Sequence, residues 1–225
     1  MEAAGRLAHT LFRPRVPSRY VHLALALNYA EPDGNPRPGR AKNEARFRTE
    51  PEARTDSTWL DTLEIRGASQ YGILGLENVI NIGRFQFCTE CMNLWLDRDP
   101  ARGDEIYLWG AYFYVAYFLT DHFQPWNREL GIIERIEPLT PAGKCAWTRC
   151  GAWQIAARWS FADLTDGNIQ GGVGQSVTLA LNWYWTPRTR LQFNALYGDI
   201  SKHFPVDGET FGNYAIIGTR VMLDF

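Results

Sequence analysis

Apolar and polar residues alternate with period two along most of this chain, in runs of about ten residues, and no other feature limits its fold so strongly. In the clearest run Trp153, Ile155, Ala157, Trp159 and Phe161 fall on one side, and Gln154, Ala156, Arg158 and Ser160 on the other. Val177, Leu179, Leu181, Trp183 and Trp185 then oppose Ser176, Thr178, Asn182 and Thr186. After the turn 185–188, Leu191, Phe193, Ala195 and Tyr197 oppose Arg190, Gln192 and Asn194. The last run sets Ala215, Ile217, Thr219, Val221, Leu223 and Phe225 against Tyr214, Gly218, Arg220 and Asp224. Near the start, Val21, Leu23, Leu25 and Leu27 oppose Tyr20, His22 and Asn28. A two-residue period sends successive side chains to opposite faces of a strand, whereas a helix repeats every three to four.

Less regular strands are expected at 5–12, 45–50, 71–82, 85–96 and 105–120. In the last of these both faces are apolar and aromatic, so inside and outside cannot be told apart. The total is about ten strands with no helix pattern between them, an all-β chain. Turn-rich breaks fall at 31–42, 51–69, 97–104, 121–151, 163–175 and 201–213, and none reads as an interdomain linker. One domain over 1–225 is expected.

A soluble sandwich and a transmembrane barrel both alternate, and the contents of the two faces separate them. Strands of about ten residues suit a tilted bilayer crossing better than the five or six usual in soluble sheets. Trp153, Trp183, Tyr184, Trp185 and Tyr197 stand near run ends, where interfacial aromatic girdles lie. The polar faces carry small hydrogen-bonding groups with isolated arginines, which suits a wet lumen. Val221, Leu223 and Phe225 close the chain on an apolar alternation that resembles the terminal signal of outer-membrane barrels. No apolar run reaches the length of a membrane-spanning helix, about 18 residues. The reading is therefore an antiparallel transmembrane β-barrel in the outer membrane, bounded by lipid. The alternative is a soluble all-β module holding carbohydrate on its aromatic face. Residues 1–12 lack the basic start and apolar core of a secretory signal.

Setting the chain end at the periplasmic edge and counting strands back puts 186–188 and 121–151 on the periplasmic side, and 163–175 outside. Periplasmic turns are normally short, so a connection of roughly thirty residues at 121–151 is unusual. It either folds into the lumen, bringing Trp126, Arg128 and Arg135 near the permeation path, or forms a flap with no part in conduction.

Net charge is −2, which argues against a nucleic-acid partner. Twenty arginines stand against three lysines, Lys42, Lys144 and Lys202. A GC-rich genome would produce that bias, and so would selection for a planar fork that holds phosphate or carboxylate. Alternation places Arg158, Arg190 and Arg220 at lumen-facing positions. Fixed guanidinium groups there lower the barrier to anions and grip phosphate through paired hydrogen bonds. Alternatively they pair with Glu77, Glu90, Asp163 and Asp224 and stiffen the wall.

Cys145 and Cys150 share one loop and could close a small disulfide in an oxidising compartment, or stay free. Cys88 and Cys91 sit three apart on a strand and point to opposite faces. His9, His22, His122 and His203 show no ligand spacing, so no metal is expected. The run Asp163–Asn168 departs from a calcium loop, and 171–174 precedes a strand and lacks the Lys-Ser/Thr of a phosphate loop. Neither GxSxG nor HExxH occurs, and no catalytic residue or cofactor is expected.

Several segments together resemble the phosphate-selective porins O and P: Arg46-Phe-Arg-Thr-Glu-Pro-Glu with Leu60-Asp-Thr, and Gly110-Ala-Tyr-Phe-Tyr-Val-Ala-Tyr-Phe-Leu-Thr. Gly151-Ala-Trp-Gln-Ile-Ala-Ala-Arg, Asp163-Leu-Thr-Asp-Gly with Gly171-Gly172, Thr178-Leu-Ala-Leu-Asn-Trp-Tyr-Trp-Thr-Pro and Gly218-Thr-Arg-Val-Met-Leu-Asp-Phe complete the set. The resemblance runs from residue 5 to the end. It implies an outer-membrane channel, usually homotrimeric and inserted by the barrel-assembly machinery, that passes small anions or other hydrophilic solutes by diffusion. It also implies a barrel of sixteen strands, so the ten expected here read as the C-terminal part of such a porin. No individual selectivity residue is carried over.

Overall fold

In the computed structural model, residues 1–12, 16–32, 43–50, 60–127, 129–138, 151–206 and 208–224 are described. Two long strands, β1 (Glu2–Phe12) and β2 (Arg19–Ala30), lead into four two-residue strands. These are β3 (Glu44–Ala45), β4 (Arg48–Thr49), β5 (Leu60–Asp61) and β6 (Ile65–Arg66). Three long strands follow, β7 (Ala68–Ile82), β8 (Phe85–Arg98) and β9 (Ile106–Phe118), then the short β10 (Trp126–Asn127) and β11 (Ile132–Ile133). The chain ends with β12 (Ala152–Asp166), β13 (Ile169–Thr186), β14 (Thr189–Val206) and β15 (Glu209–Leu223).

The nine long strands form one antiparallel meander in the order β1-β2-β7-β8-β9-β12-β13-β14-β15. The all-β class is as read from alternation. Strand lengths differ from it, running from 11 to 18 residues. The expected breaks at 163–175 and 201–213 shrink to tight turns, because Gly167 (φ 53°) and Gly208 (φ 87°) adopt the left-handed conformation that such turns need. The strand expected at 45–50 is instead two short ladders, β3 with β6 and β4 with β5, outside the main sheet. Among the described residues no ladder joins β1 to β15. With nine alternating strands these edges run in the same direction, so they could not pair antiparallel with each other.

Register lines define two faces. One carries Leu7, Leu25, Leu76, Cys91, Ala111, Phe161, Gln175, Asp199 and Asn213 in successive cross-strand partnership, with Trp159, Val177, Tyr197 and Ala215 in the next row of the same face. Its apolar side chains are left bare, with Leu7 at 77% and Ile217 at 90% exposure. Aromatic rings border it at both ends. Trp95 with Tyr107 and Trp109 with Phe161 pack at one end, at centroid separations of 5.6 and 4.7 Å. Phe85 with Tyr117 and Trp153 with Trp183 pack at the other, at 4.5 and 5.0 Å. Tyr107 and Tyr117 bound this band on β9. Ten residues at about 3.4 Å each, tilted by about 40°, separate the girdles by about 26 Å along the normal. That matches the apolar band of a membrane barrel, about 25 Å.

The opposite face is covered from both ends. Residues 43–50 and 60–66 fold over it from the end where β7 begins. Ala45 and Ile65 join Ala68, Leu94, Leu96, Ile106, Leu108 and Ile169 in a dry cluster. From the end where β15 finishes, the segment after β9 turns back over the same face. Trp126 packs on Tyr20, Val79 and Cys88, and Ile136 on Phe118, Ala152 and Tyr184. Residues 139–150, including Cys145 and Cys150, lie outside the described residues, as do Arg128 and Phe225. Cys88 is buried on the covered face, while Cys91 falls on the bare one, and both are free.

Candidate functional site

The covered face is where function can reside, because one of its rows of side chains crosses the whole sheet. In cross-strand register that row reads Ala8, Ala24, Glu77, Glu90, Tyr112, Ser160, Ser176, Gly198 and Tyr214. The next row, toward the β15 terminus, reads Thr10, His22, Val79, Cys88, Tyr114, Arg158, Thr178, Leu196 and Ile216. Hydroxyl, carboxylate, imidazole and guanidinium groups therefore line one surface.

Charge is unevenly spread on it. On the β1–β7 side, Arg6 donates to Glu77 Oε2 at 2.8 Å. Arg6 Nη2 also lies 3.2 Å from His22 Nε2, and Thr10 Oγ1 is 2.7 Å from His22 Nδ1. His22 is wholly buried, its ring 4.5 Å from the Trp126 ring. On the β12–β15 side, register puts Arg158, Arg190 and Arg220 on this face. The Arg158 guanidinium carbon lies 4.1 Å from the centroid of the Tyr112 ring, and its Nε donates to Ser160 Oγ at 2.9 Å. The Arg190 guanidinium lies 5.5 Å from the Tyr184 ring and reaches Met222 Sδ. Arg220 is exposed at the end of an amide relay. In that relay Gln192 donates to Asn182 at 2.8 Å and Asn182 to Gln154 at 2.9 Å.

The three arginines read from alternation share a face and are spread over its C-terminal half rather than gathered at one point. Of their suggested carboxylate partners, Glu77 pairs with Arg6, and Asp224 pairs with Arg135 instead. Asp163 falls in register with Trp109 on the opposite face, where its carboxylate accepts from Thr165 N at 2.9 Å. Val221 and Leu223 are exposed on the bare face.

Residues 43–66 add groups that alternation does not single out. Arg46 Nε donates to Asp61 Oδ1 at 2.8 Å, and its Nη2 closes a second contact to Oδ2. These bonds hold the Asp61 carboxyl below its usual range. Thr62 is buried and bonds to Phe47 N and O, at 3.0 and 3.2 Å. The wall is shaped to receive this segment. A Cβ on Gly172 would meet Leu60 at 2.8 Å, and one on Gly171 would meet Thr62 at 2.9 Å. The glycines of 171–174 therefore serve close packing. Between segment and wall lies a cleft of ≈ 720 Å³ that includes Arg46, Arg48, Glu50, Glu90, Tyr112 and Arg158 in its lining. No sequence signal announces this cleft, because its lining comes from stretches of chain far apart in sequence.

The segment after β9 spans the sheet's width. Tyr20 OH donates to Gln124 O at 3.1 Å near one edge, and Arg135 pairs with Asp224 at the other. Gln124 Nε2 donates to Glu134 O at 2.8 Å, which holds the two arms of the segment together.

A family model described as phosphate-selective porin O and P matches residues 10–222. An uncharacterized protein of Caulobacter vibrioides is 29% identical over 154 residues, which cover 67% of this chain and 29% of that protein. The chain therefore spans less than a third of that relative's length.

Proposed function

Since this chain belongs to the family of phosphate-selective porins O and P, we propose that its sheet forms part of the wall of an outer-membrane diffusion channel. The observation that carries this reading is the opposition of the two faces. A bare apolar band between aromatic girdles suits lipid, and a covered face lined by charged and amide groups suits a water-filled path. A soluble carbohydrate-binding module would have to leave that apolar band in water, where each Å² costs about 25 cal/mol. A family of channels also supports a passive conduit rather than an enzyme.

Small hydrophilic solutes pass along the covered face, with anions, phosphate among them, favoured by Arg158, Arg190 and Arg220. Guanidinium groups remain charged at every physiological pH and offer paired donors to a tetrahedral oxyanion. The segment 121–138 narrows the path where β15 ends, with Trp126 and Arg135 as its contact points. Partners follow from the same reading: lipid around the band, the barrel-assembly machinery at the Val221-Leu223-Phe225 terminus, and two further copies in a homotrimer. Planar-bilayer recording in a salt gradient tests the selectivity. The reversal potential should lie on the anion side, and replacing Arg158, Arg190 and Arg220 together by Gln should move it toward zero. A cation-selective parent channel would overturn the anion reading.

A further inference from the structure

We infer that the bare face over β1, β2, β7 and β8 is the surface through which one copy of this chain binds the next, with Asn78 and Thr89 hydrogen-bonding across the contact where lipid could not. This rests on the channel reading above and deepens it by giving the partner copy a place. One row of side chains on this face does not suit hydrocarbon. In cross-strand register its first four members are His9, Leu23, Asn78 and Thr89. From Phe113 on, through Trp159 and Val177, the same row is aromatic or aliphatic.

Thr89 lies between Phe85 and Trp95, the β8 members of the two aromatic girdles. At about 2.6 Å of depth per residue, it stands about 10 Å inside one girdle and about 16 Å inside the other. Asn78 is its direct cross-strand partner. Hydrocarbon at that depth offers neither donor nor acceptor, and water does not replace them. Among the described residues, neither the Asn78 carboxamide nor the Thr89 hydroxyl has a hydrogen-bond partner. A bond between the two would still leave the carboxamide with an unmet N–H, since it carries two donors as well as an acceptor oxygen. Polar side chains placed so in a membrane drive association with protein that can answer them.

The shape of the face agrees. A hollow of ≈ 610 Å³ opens in it at this place, with Leu7, Leu25, Leu76, Asn78 and Thr89 in its lining. Phe113, across from Thr89 on β9, projects beside the hollow and is 45% exposed. A hollow and a projecting ring side by side suit a head-to-tail contact, in which each copy seats its ring in the next and the series closes on itself. The chemistry names the same occupant. Carboxamide and hydroxyl each donate and accept, so the polar pair is complementary to itself. Copies inserted in one orientation carry Asn78 and Thr89 at one depth, so these groups meet without adjustment to the bilayer. An unrelated partner would have to present polar groups of its own at that depth.

Photocrosslinking of the full chain in membranes tests the inference. The photoreactive p-benzoyl-phenylalanine in place of Leu76, which is 46% exposed beside the polar pair, should join two copies of this chain. The same probe in place of Leu179, 58% exposed on the bare face of β13, should give at least about tenfold less of that adduct. In detergent, Asn78→Leu with Thr89→Val should raise the dissociation constant of the oligomer at least about tenfold, while heat-modifiable gel migration stays as in the parent. Equal adduct from the two positions would overturn the inference. So would a Leu76 adduct only with lipid or with a different protein, or an unchanged dissociation constant in the folded double variant. The crosslinking comparison stands without the double variant, should that one not fold. Planar-bilayer conductance and membrane fractionation are recorded in parallel. A membrane-inserted, conducting protein whose copies do not join through Leu76 sinks this inference alone, and a protein that never enters the membrane fraction sinks the channel reading.

Discussion

Two segments cover the same face of the sheet, and they are held in different ways. Residues 43–50 and 60–66 dock through several buried side chains: Ile65 is 1% exposed, Ala45, Leu60 and Thr62 are buried, and Leu60 sits where glycines leave space for it. Among its described residues, 121–138 touches the wall at separated points: Asp121 on Arg84, Gln124 and Trp126 on β2, Ile136 near β12 and Arg135 at the end of β15. Between those anchors Leu130, Ile132 and Ile133 stay exposed. A segment held by several buried side chains behaves as part of the wall, because withdrawing any of them opens a cavity. A segment pinned at a few points can leave when one pin fails. The difference implies that the first sets a fixed cleft and the second an adjustable restriction.

Removing one pin should therefore have the largest effect. Trp126→Ala deletes a ring that packs on both Tyr20 and His22, at 5.4 and 4.5 Å. Truncating a buried aromatic costs about 3–5 kcal/mol, which leaves the Tyr20–Gln124 bond and the exposed Arg84–Asp121 pair to hold this end of the segment. Single-channel conductance should rise, and protease should cut within 121–138 while the sheet stays intact. If the segment is cut and conductance does not change, it lies outside the path and the comparison loses its functional meaning.

The matching change in the other segment should do less. Ile65→Ala removes a fully buried side chain and costs about 2–5 kcal/mol. Phe47, Ala45 and Leu60 still hold the segment, so it should loosen without leaving, with a smaller rise in conductance and slower proteolysis than in Trp126→Ala. Equal or greater release would show that both segments are pinned alike.

How far the sequence reveals this arrangement depends on what each face meets. Runs 153–161 and 176–186 are legible because one face meets a single apolar environment and the other a polar one, which enforces period two. Arg158, Arg190 and Arg220 could be assigned to a face for that reason. On β9 the rule fails. Ile106 and Leu108 lie beneath residues 43–66, so that strand is apolar on both faces and its alternation vanishes. The glycines at 171–174 mislead in the other direction. They read as a break between strands, yet they lie inside β13, where Leu60 and Thr62 approach too closely for any side chain. Arg46 with Asp61, and Tyr112 with Arg158, are pairs that only the folding of distant segments onto one another creates. No local spacing encodes them.

Acid sharpens the contrast through one titrating group in each segment, with the smallest expected effect. Asp61 is held below the usual carboxylate range by its bonds to Arg46. Its contribution is present above the unfolded carboxylate value, about 3.9, and is lost only as pH falls through the lowered one. His122 lies where the second segment begins, and burial pushes its pKa below the ordinary imidazole value; Asp121 opposes that shift and Arg84 adds to it. The folded form therefore favours the neutral ring. Its stabilisation is complete above the unfolded value of about 6.5 and declines as pH falls toward the lowered value. Between pH 7 and about 5, where imidazoles titrate, the second segment should loosen while the first keeps its ion pair. Conductance and proteolysis within 121–138 should rise modestly over that interval, and His122→Gln should flatten the response. Release of residues 43–66 in the same interval would reverse the assignment, making the cleft the adjustable element and the segment after β9 the fixed one.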